Sequence, residues 1–211
     1  MKEDSIQQAM CLYLVTDQRW VHHSFYEDIE EALKGGVTCV QLREKHMDNQ
    51  SFIEEAKEVK KLCEKYHVPF IINDNVEVML AVNGDGIHVG QHDMQAKDVR
   101  KRIGPNKILG VSVHSVEQAV SAYQAGADYL GVGAVFSTQT KDDAIVVDKQ
   151  TLRDICDAVS IPVVAIGGIH HENIMALKDT GVAGVAVVSA ILAQEHIQQS
   201  AIELKEQVLL L

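Results

Sequence analysis

The stretch Val37-Thr-Cys-Val-Gln-Leu-Arg-Glu-Lys45 begins as an apolar run and ends in charge. Residues i, i+2 and i+4 of a strand share one face. Gln41, Arg43 and Lys45 are therefore expected to project together where the strand finishes. Arg offers a planar fork of donors and Lys a compact charge, a combination that suits a phosphorylated ligand. The layout recurs, because other apolar runs end in Asn73-Asp74, Ser112, Gly167-Gly168 and Ser189. A chain that repeatedly places polar groups at strand ends builds one site from many strands.

Eight strand-like runs lie at 10–16, 37–43, 68–73, 85–89, 108–112, 127–133, 161–166 and 183–189. They are almost continuously apolar, as strands buried on both faces of a parallel sheet should be. Helical patterns separate them. Residues 51–65 carry Phe52, Ala56, Val59 and Cys63 on one face, and Ser51 with Glu54 reads as a capping box. Ser115 and Gln118 repeat that signature ahead of a helix over 115–125, and a third helix is expected over 171–180. The phrases GGV at 35–37, AGA at 125–127 and TGV at 180–182 read as helix C-caps feeding the next strand. Pro69 and Pro162 open strands, where a missing donor is tolerated. Eight such units of about 26 residues predict a single-domain (β/α)8 TIM barrel over residues 1–211. A doubly wound open sheet would need a glycine-rich fingerprint after the first strand, where Thr16-Asp17-Gln18 stands.

At 211 residues the chain can bury roughly 70% of its unfolded surface as one domain. A net charge of −11 argues against non-specific binding to nucleic acid or anionic membrane. Cys11, Cys39, Cys63 and Cys156 form no C-x-x-C pair, so neither a zinc ribbon nor a redox motif is expected. Cys11 and Cys39 lie in strand-like runs and should be buried thiols. A disulfide framework is not expected with a core of this size. The acidic N-terminus does not read as a signal peptide, and no apolar stretch reaches the length of a membrane span. A cytoplasmic protein with no nucleic-acid or membrane partner is expected; homo-oligomerisation stays open.

In a (β/α)8 barrel the active site lies at the C-terminal strand ends, and phosphate commonly binds the loops after strands seven and eight. Here those loops are Gly167-Gly168-Ile169 and Val188-Ser189-Ala190. Glycine allows close approach to the backbone, and the N–H groups of a following helix favour an anion. A tight turn is the plainer reading of the glycine pair. Asp74 and Asp93 follow strands three and four. Mg²⁺ takes oxygen ligands from one or two carboxylates, completed by water and substrate phosphate. Each aspartate alone also suits a cap or turn; the nearby cations favour the metal. The loop Gly133-Ala-Val-Phe-Ser-Thr-Gln-Thr-Lys141 brings two hydroxyls beside an ammonium, which suits a second anion, although a solvated loop is the alternative. Asn73 and Ser112 can hydrogen-bond a heterocyclic amine or a diphosphate oxygen. His88 and His92 run from strand into turn and do not form a helical zinc pair. His114, His170 and His171 read as loop or capping residues.

QLREK at 41–45, IND at 72–74, HVGQ-H-D at 88–93, GVS at 110–112, F-x-T-x-T-K at 136–141, AIGGI at 165–169 and VVSAI at 187–191 occur in that order. Together they resemble the thiamine-phosphate synthase (thiamine-phosphate pyrophosphorylase) family over essentially the whole chain. The resemblance implies a transferase that condenses 4-amino-2-methyl-5-hydroxymethylpyrimidine diphosphate with 4-methyl-5-(2-phosphoethyl)thiazole, or its carboxylated form. The products would be thiamine phosphate and pyrophosphate. Carried over by motif, Gln41, Leu42, Arg43, Glu44, Lys45, Asn73, Ser112 and Lys141 would hold the pyrimidine diphosphate. Arg43, Lys45, Ser112 and Lys141 would be catalytic. Thr138, Gln139, Thr140, Gly168, Val188 and Ser189 would hold the thiazole phosphate, and Asp74 and Asp93 one Mg²⁺ per site. The chain departs from the family pattern at Ala134 and Ser137, where proline is common, at His92, where an acid is common, and near Asp148, where glycine is common. Ala134 and Ser137 leave that loop less stiff.

Three other readings remain open on the residues alone. A metal-free thiazole tautomerase would use the glycine loops and ignore both aspartates. A Schiff-base lyase would use Lys45 or Lys141. A phosphate-ligand sensor would need only part of the set.

Overall fold

The computed structural model describes residues 3–138 and 146–211. Eight strands, β1 (Leu12–Val15), β2 (Cys39–Leu42), β3 (Phe70–Asn73), β4 (Gly86–Val89), β5 (Ile108–Val113), β6 (Tyr129–Val132), β7 (Val163–Ile166) and β8 (Gly184–Val187), pair in chain order. β8 returns to β1, so the expected (β/α)8 barrel closes, with every pair parallel. The helices are α1 (Glu3–Ala9), α2 (Phe25–Lys34), α3 (Asn49–Lys65), α4 (Val76–Ala81), α5 (Ala96–Ile103), α6 (Val116–Gln124), α7 (Lys149–Ala158), α8 (Ser189–Leu192) and α9 (Ile197–Val208). No helix among the described residues is long and apolar enough to cross a membrane.

The strands are largely apolar because they face two buried layers. Leu12, Leu14, Val40, Leu42, Phe70 and Ile72 point outward into the shell packed by helices. Tyr13, Val15, Cys39, Ile71, Ile108, Tyr129, Val164 and Ala186 point into the lumen. Ile6, Ala9 and Met10 pack against the same lumen set, so α1 closes the end of the barrel where the strands begin. Cys11 sits just ahead of β1 and is only partly buried, unlike Cys39, because the strand starts two residues later than the apolar run.

Helix boundaries follow local chemistry. α3 opens at Asn49 because Asp48 accepts from the Gln50 and Ser51 amides at 3.0 and 3.1 Å. The Ser51–Glu54 capping box therefore does not form; Ser51 instead donates its hydroxyl to Asp48. Ser115 does cap α6, and Gln118 reaches back to the His114 amide at 2.8 Å rather than to Ser115 itself. Residues 171–180 contain a single 3₁₀ turn, Ile174–Leu177, in place of the expected helix. Asn173 accounts for this, since its side chain accepts from the His170 amide and donates to the Gly168 carbonyl. Such local bonds compete with helical ones. At the 35–37 phrase, Gly36 takes the left-handed conformation (φ 97°). Gly35 has another reason to be glycine: a Cβ there would meet Ala201 and the Gln198 carbonyl of α9.

Arg100 of α5 is the main tie at the closed end. It donates to the carbonyls of Gly104, Lys107 and Gly126 and pairs with Asp128, which also accepts from the Leu109 amide. Hydrogen bonds to charged groups contribute about 1.5–3 kcal/mol. Arg100→Ala is expected to lower stability by about 2–3 kcal/mol in denaturant titrations while turnover is retained.

The turn from β2 into α3 brings Glu44 against Glu55, with Gln18 donating to Glu55 at 2.8 Å. Burial, then the Glu44 charge, lifts the Glu55 carboxyl to about 7; burial also raises Glu44. A carboxyl raised on folding binds its proton more tightly in the native state, so its stabilisation is present at low pH. That stabilisation is lost as pH rises from the ordinary value of 4.5 through about 7. Thermal melts of Glu55→Gln should show a higher Tm above neutrality and a flatter pH dependence across that window. Parallel curves for variant and wild type would dismiss the shared proton.

Candidate active site

A cavity of about 590 Å³ opens at the C-terminal ends of the strands and draws its walls from all eight. Short strands, four residues in all but the six-residue β5, limit what each contributes: two or three inward positions, then a loop.

From β2, Gln41 points into the lumen and is only 4% exposed. The strand stops at Leu42, so Arg43 and Lys45 enter the cavity from the following loop rather than from the strand face. The Arg43 amide is held by the Thr16 hydroxyl at 3.1 Å, and its guanidinium stands 3.6 Å from Asp17. Leu42 points outward into the helical shell and Glu44 turns to Glu55, so neither side chain lines the cavity.

β3 contributes Asn73 and then Asp74, whose backbone is left-handed at φ 61°. Asn75, not Asp74, caps α4 by accepting from the Val78 amide. Asp74 is thereby released from the capping role its position suggests. Its carboxylate meets Lys45 at 2.5 Å. Asp93, on the loop after β4, accepts from the Gly90 amide at 2.8 Å and lies within hydrogen-bonding reach of Asp74. Burial and the adjoining Asp93 push Asp74 upward despite Lys45. Burial opposes ionisation of Asp93 too, yet Asp74, the Gly90 amide and Lys45 together hold it below the usual range. Two carboxylates so close cannot both ionise comfortably. A hard cation relieves that repulsion, and one or two carboxylates beside room for phosphate is a donor set that fits Mg²⁺.

Facing this cluster are the glycine loops. Gly167 and Gly168 have φ of 101° and 65°. A Cβ at Gly167 would collide with Ala134, and one at Gly168 with the Ser137 carbonyl. The amides of Val135 and Phe136 bond the carbonyls of Ile166 and Gly167, both at 3.0 Å. The glycine pair is thus packed beneath the start of the β6–α7 loop as well as bordering the cavity. Val188 and Ser189 line the same wall, and no side chain caps α8. Thr138 also lines the cavity; Gln139, Thr140 and Lys141 lie outside the described residues.

Sequence reasoning passed over the lumen residues Tyr13 and Tyr129 and weighed His88 only as a zinc ligand. His88 is buried, with Nδ1 2.9 Å from the Tyr129 hydroxyl and Nε2 2.8 Å from Ser112 Oγ. Tyr129 meets Tyr13 at 2.8 Å, and Gln41 donates to Tyr13 at 2.8 Å. The signal was the inward parity of His88, two residues after Gly86 in β4. His114 also reaches the cavity, bonding the Gly133 carbonyl, whereas His171 is engaged by Ser200 and Gln207.

The thiamine monophosphate synthase family pattern matches residues 12–191. The chain is 54% identical to the thiamine-phosphate synthase of Ruminiclostridium cellulolyticum over 196 residues, covering 92% of this chain and 93% of the relative. It is 50% identical to that of Clostridium tetani over 194 residues, with 92% and 93% covered. Among solved structures, a thiamine phosphate pyrophosphorylase from Pyrococcus furiosus superposes with a TM-score of 0.89 at 40% identity, over 96% of this chain and 97% of that one. With its strands, its glycine loops and nearly its full length matched in this way, the chain belongs to the thiamine monophosphate synthase family and is a transferase of thiamine biosynthesis.

Proposed function

We propose that residues 1–211 act as one catalytic unit that joins the pyrimidine diphosphate to the thiazole phosphate and releases pyrophosphate, with CO2 released as well when the thiazole carries its carboxyl group. The observation that carries this reading is the meeting of Lys45, Asp74 and Asp93 in one cavity with Arg43, opposite the glycine loops. The carbon–oxygen bond to the diphosphate breaks and its electron pair leaves with pyrophosphate. The 4-amino group of the pyrimidine feeds electrons into the cation that remains, and the thiazole nitrogen lone pair then forms the carbon–nitrogen bond. No protein nucleophile or strong base is required.

Each group in the cavity has a distinct task in this reaction. Arg43 and Lys45, with Lys141 from beyond the described residues, neutralise charge on the departing diphosphate. Gln41, Asn73 and Ser112 orient the pyrimidine ring. Gly168, Val188, Ser189 and Thr138, with Gln139 and Thr140, receive the thiazole phosphate. Leu42 and Glu44 would contribute through backbone, since their side chains face elsewhere. Asp74 and Asp93 would hold one Mg²⁺, which when bound supplies positive charge beside the diphosphate. The buried walls exclude water that would otherwise capture the cation. A cytoplasmic setting fits small phosphorylated substrates.

Purified protein mixed with both substrates, with and without Mg²⁺, should yield thiamine phosphate and pyrophosphate in equal amounts only when the metal is present. Binding of thiazole phosphate without any coupling would favour the tautomerase reading. Preorganised charge at such sites is typically worth about 3–4 kcal/mol per group. Arg43→Ala should therefore lower turnover about a hundredfold or more. Its melting temperature should move little, because Asp17 keeps its closer pairing with Arg19 at 2.6 Å when Arg43, 3.6 Å away, is removed. An unaltered rate would remove Arg43 from the charge-stabilising set. Asp93→Asn should lose most of the Tm gain produced by Mg²⁺ with pyrophosphate. A full Mg²⁺-induced shift in that variant would place the cation elsewhere.

A further inference from the structure

Gln41 on β2 and Ser112 on β5 are joined through the lumen by three side chains. Gln41 Nε2 donates to Tyr13 at 2.8 Å, Tyr13 and Tyr129 share a hydrogen bond of 2.8 Å, Tyr129 meets His88 Nδ1 at 2.9 Å, and His88 Nε2 meets Ser112 Oγ at 2.8 Å. The rings also pack, with Tyr129 centroids 5.8 Å from Tyr13 and 5.4 Å from His88. Two inward positions are kept empty for them. A Cβ at Gly110 would overlap the Tyr129 ring and His88, and one at Gly131 would press on His88. Burial drives both phenols far from ionisation, so each hydroxyl keeps its one proton.

One proton per hydroxyl makes the chain directional. Gln41 gives its N–H to Tyr13, whose own proton then goes to Tyr129. The Cys39 thiol adjoining Tyr13 is only a weak acceptor. Tyr129 in turn donates to His88 Nδ1. The imidazole proton is left on Nε2, where it is given to Ser112. Ser112 has accepted, so its own O–H is available as a donor. At the other end, the amide that turned its nitrogen to Tyr13 keeps its carbonyl oxygen as an acceptor.

We propose that Tyr13, Tyr129 and His88 are positioning residues that fix Ser112 as a donor and the Gln41 oxygen as an acceptor, and so select the hydrogen-bonding pattern of the heterocycle. This rests on the reading of Gln41 and Ser112 as pyrimidine contacts. An aminopyrimidine offers an exocyclic N–H donor beside a ring-nitrogen acceptor. Its 4-oxo counterpart reverses both and would leave buried groups unpaired, the situation in which polar sites discriminate most strongly.

The test uses Tyr129→Phe, with Tyr13→Phe as a second cut should the first fail to fold. The readouts are kcat/KM for the 4-amino and 4-oxo pyrimidine diphosphates and long-range ¹H–¹⁵N NMR of the imidazoles, with His88 assigned by the signal lost in His88→Gln. Wild type should show His88 as a single Nε2–H tautomer. Either cut should mix the tautomers and reduce the amino-over-oxo ratio about tenfold or more, with KM for the thiazole phosphate unchanged. A role confined to packing would lower both substrates alike and leave the ratio constant; that result in a folded variant, or a wild-type proton on Nδ1, overturns the proposal. An Nε2–H imidazole in a wild-type protein that turns over neither pyrimidine would instead sink the substrate reading and the selection built on it.

Discussion

Everything at this site depends on the alternation of side chains along short strands, seven of them only four residues long. Each strand has a position that packs the lumen and a position that faces the cavity, and little else. Tyr13 lies below Val15, Cys39 below Gln41, Ile71 below Asn73, and Tyr129 below Gly131. A shift of one residue in any strand would exchange a cavity group for a shell residue. The Arg100 tie and the outward aliphatic rows therefore hold the register on which the chemistry relies.

Electrostatics at the mouth is organised around imbalance. Lys45 is shared with an aspartate that already faces another carboxylate, and Arg43 with an aspartate that also holds Arg19 at 2.6 Å. Burial opposes ionisation of Asp17, and the Arg19 hydrogen bonds and the Arg43 charge overcome it. Arg43 and Arg19 thus share a single carboxylate and keep positive charge for an incoming anion, whereas Lys45 is outnumbered by the Asp74–Asp93 pair.

The barrel itself is legible because eight continuous apolar runs, each set off by turn glycines, fit a closed parallel sheet and little else. All eight strands fall within the runs, except that β5 extends one residue past its run, to Val113. The finer features are harder to read. The Asp48 cap lies upstream of an equally plausible serine, and Asn173 spends its amide on a loop, so pattern alone places one helix late and another where only a turn forms. The cavity residues at strand ends are visible as polar breaks in apolar text. Tyr13 and Tyr129 are not, because an aromatic in a buried strand looks like core until its hydroxyl is seen to face another one. Likewise the glycine pair suggests a ligand, whereas part of its reason is the loop lying over it.

The closure of one barrel end by α1 has a consequence for traffic. Among the described residues, Ile6, Ala9 and Met10 stopper the lumen beneath Tyr13 and Tyr129. Whatever occupies the floor must then arrive and leave past whatever occupies the rim. On the proposed placing of ring contacts at the floor and phosphate contacts on the rim loops, the two ligands would form a queue: the deeper one would enter first, and the shallower one would shut the door behind it.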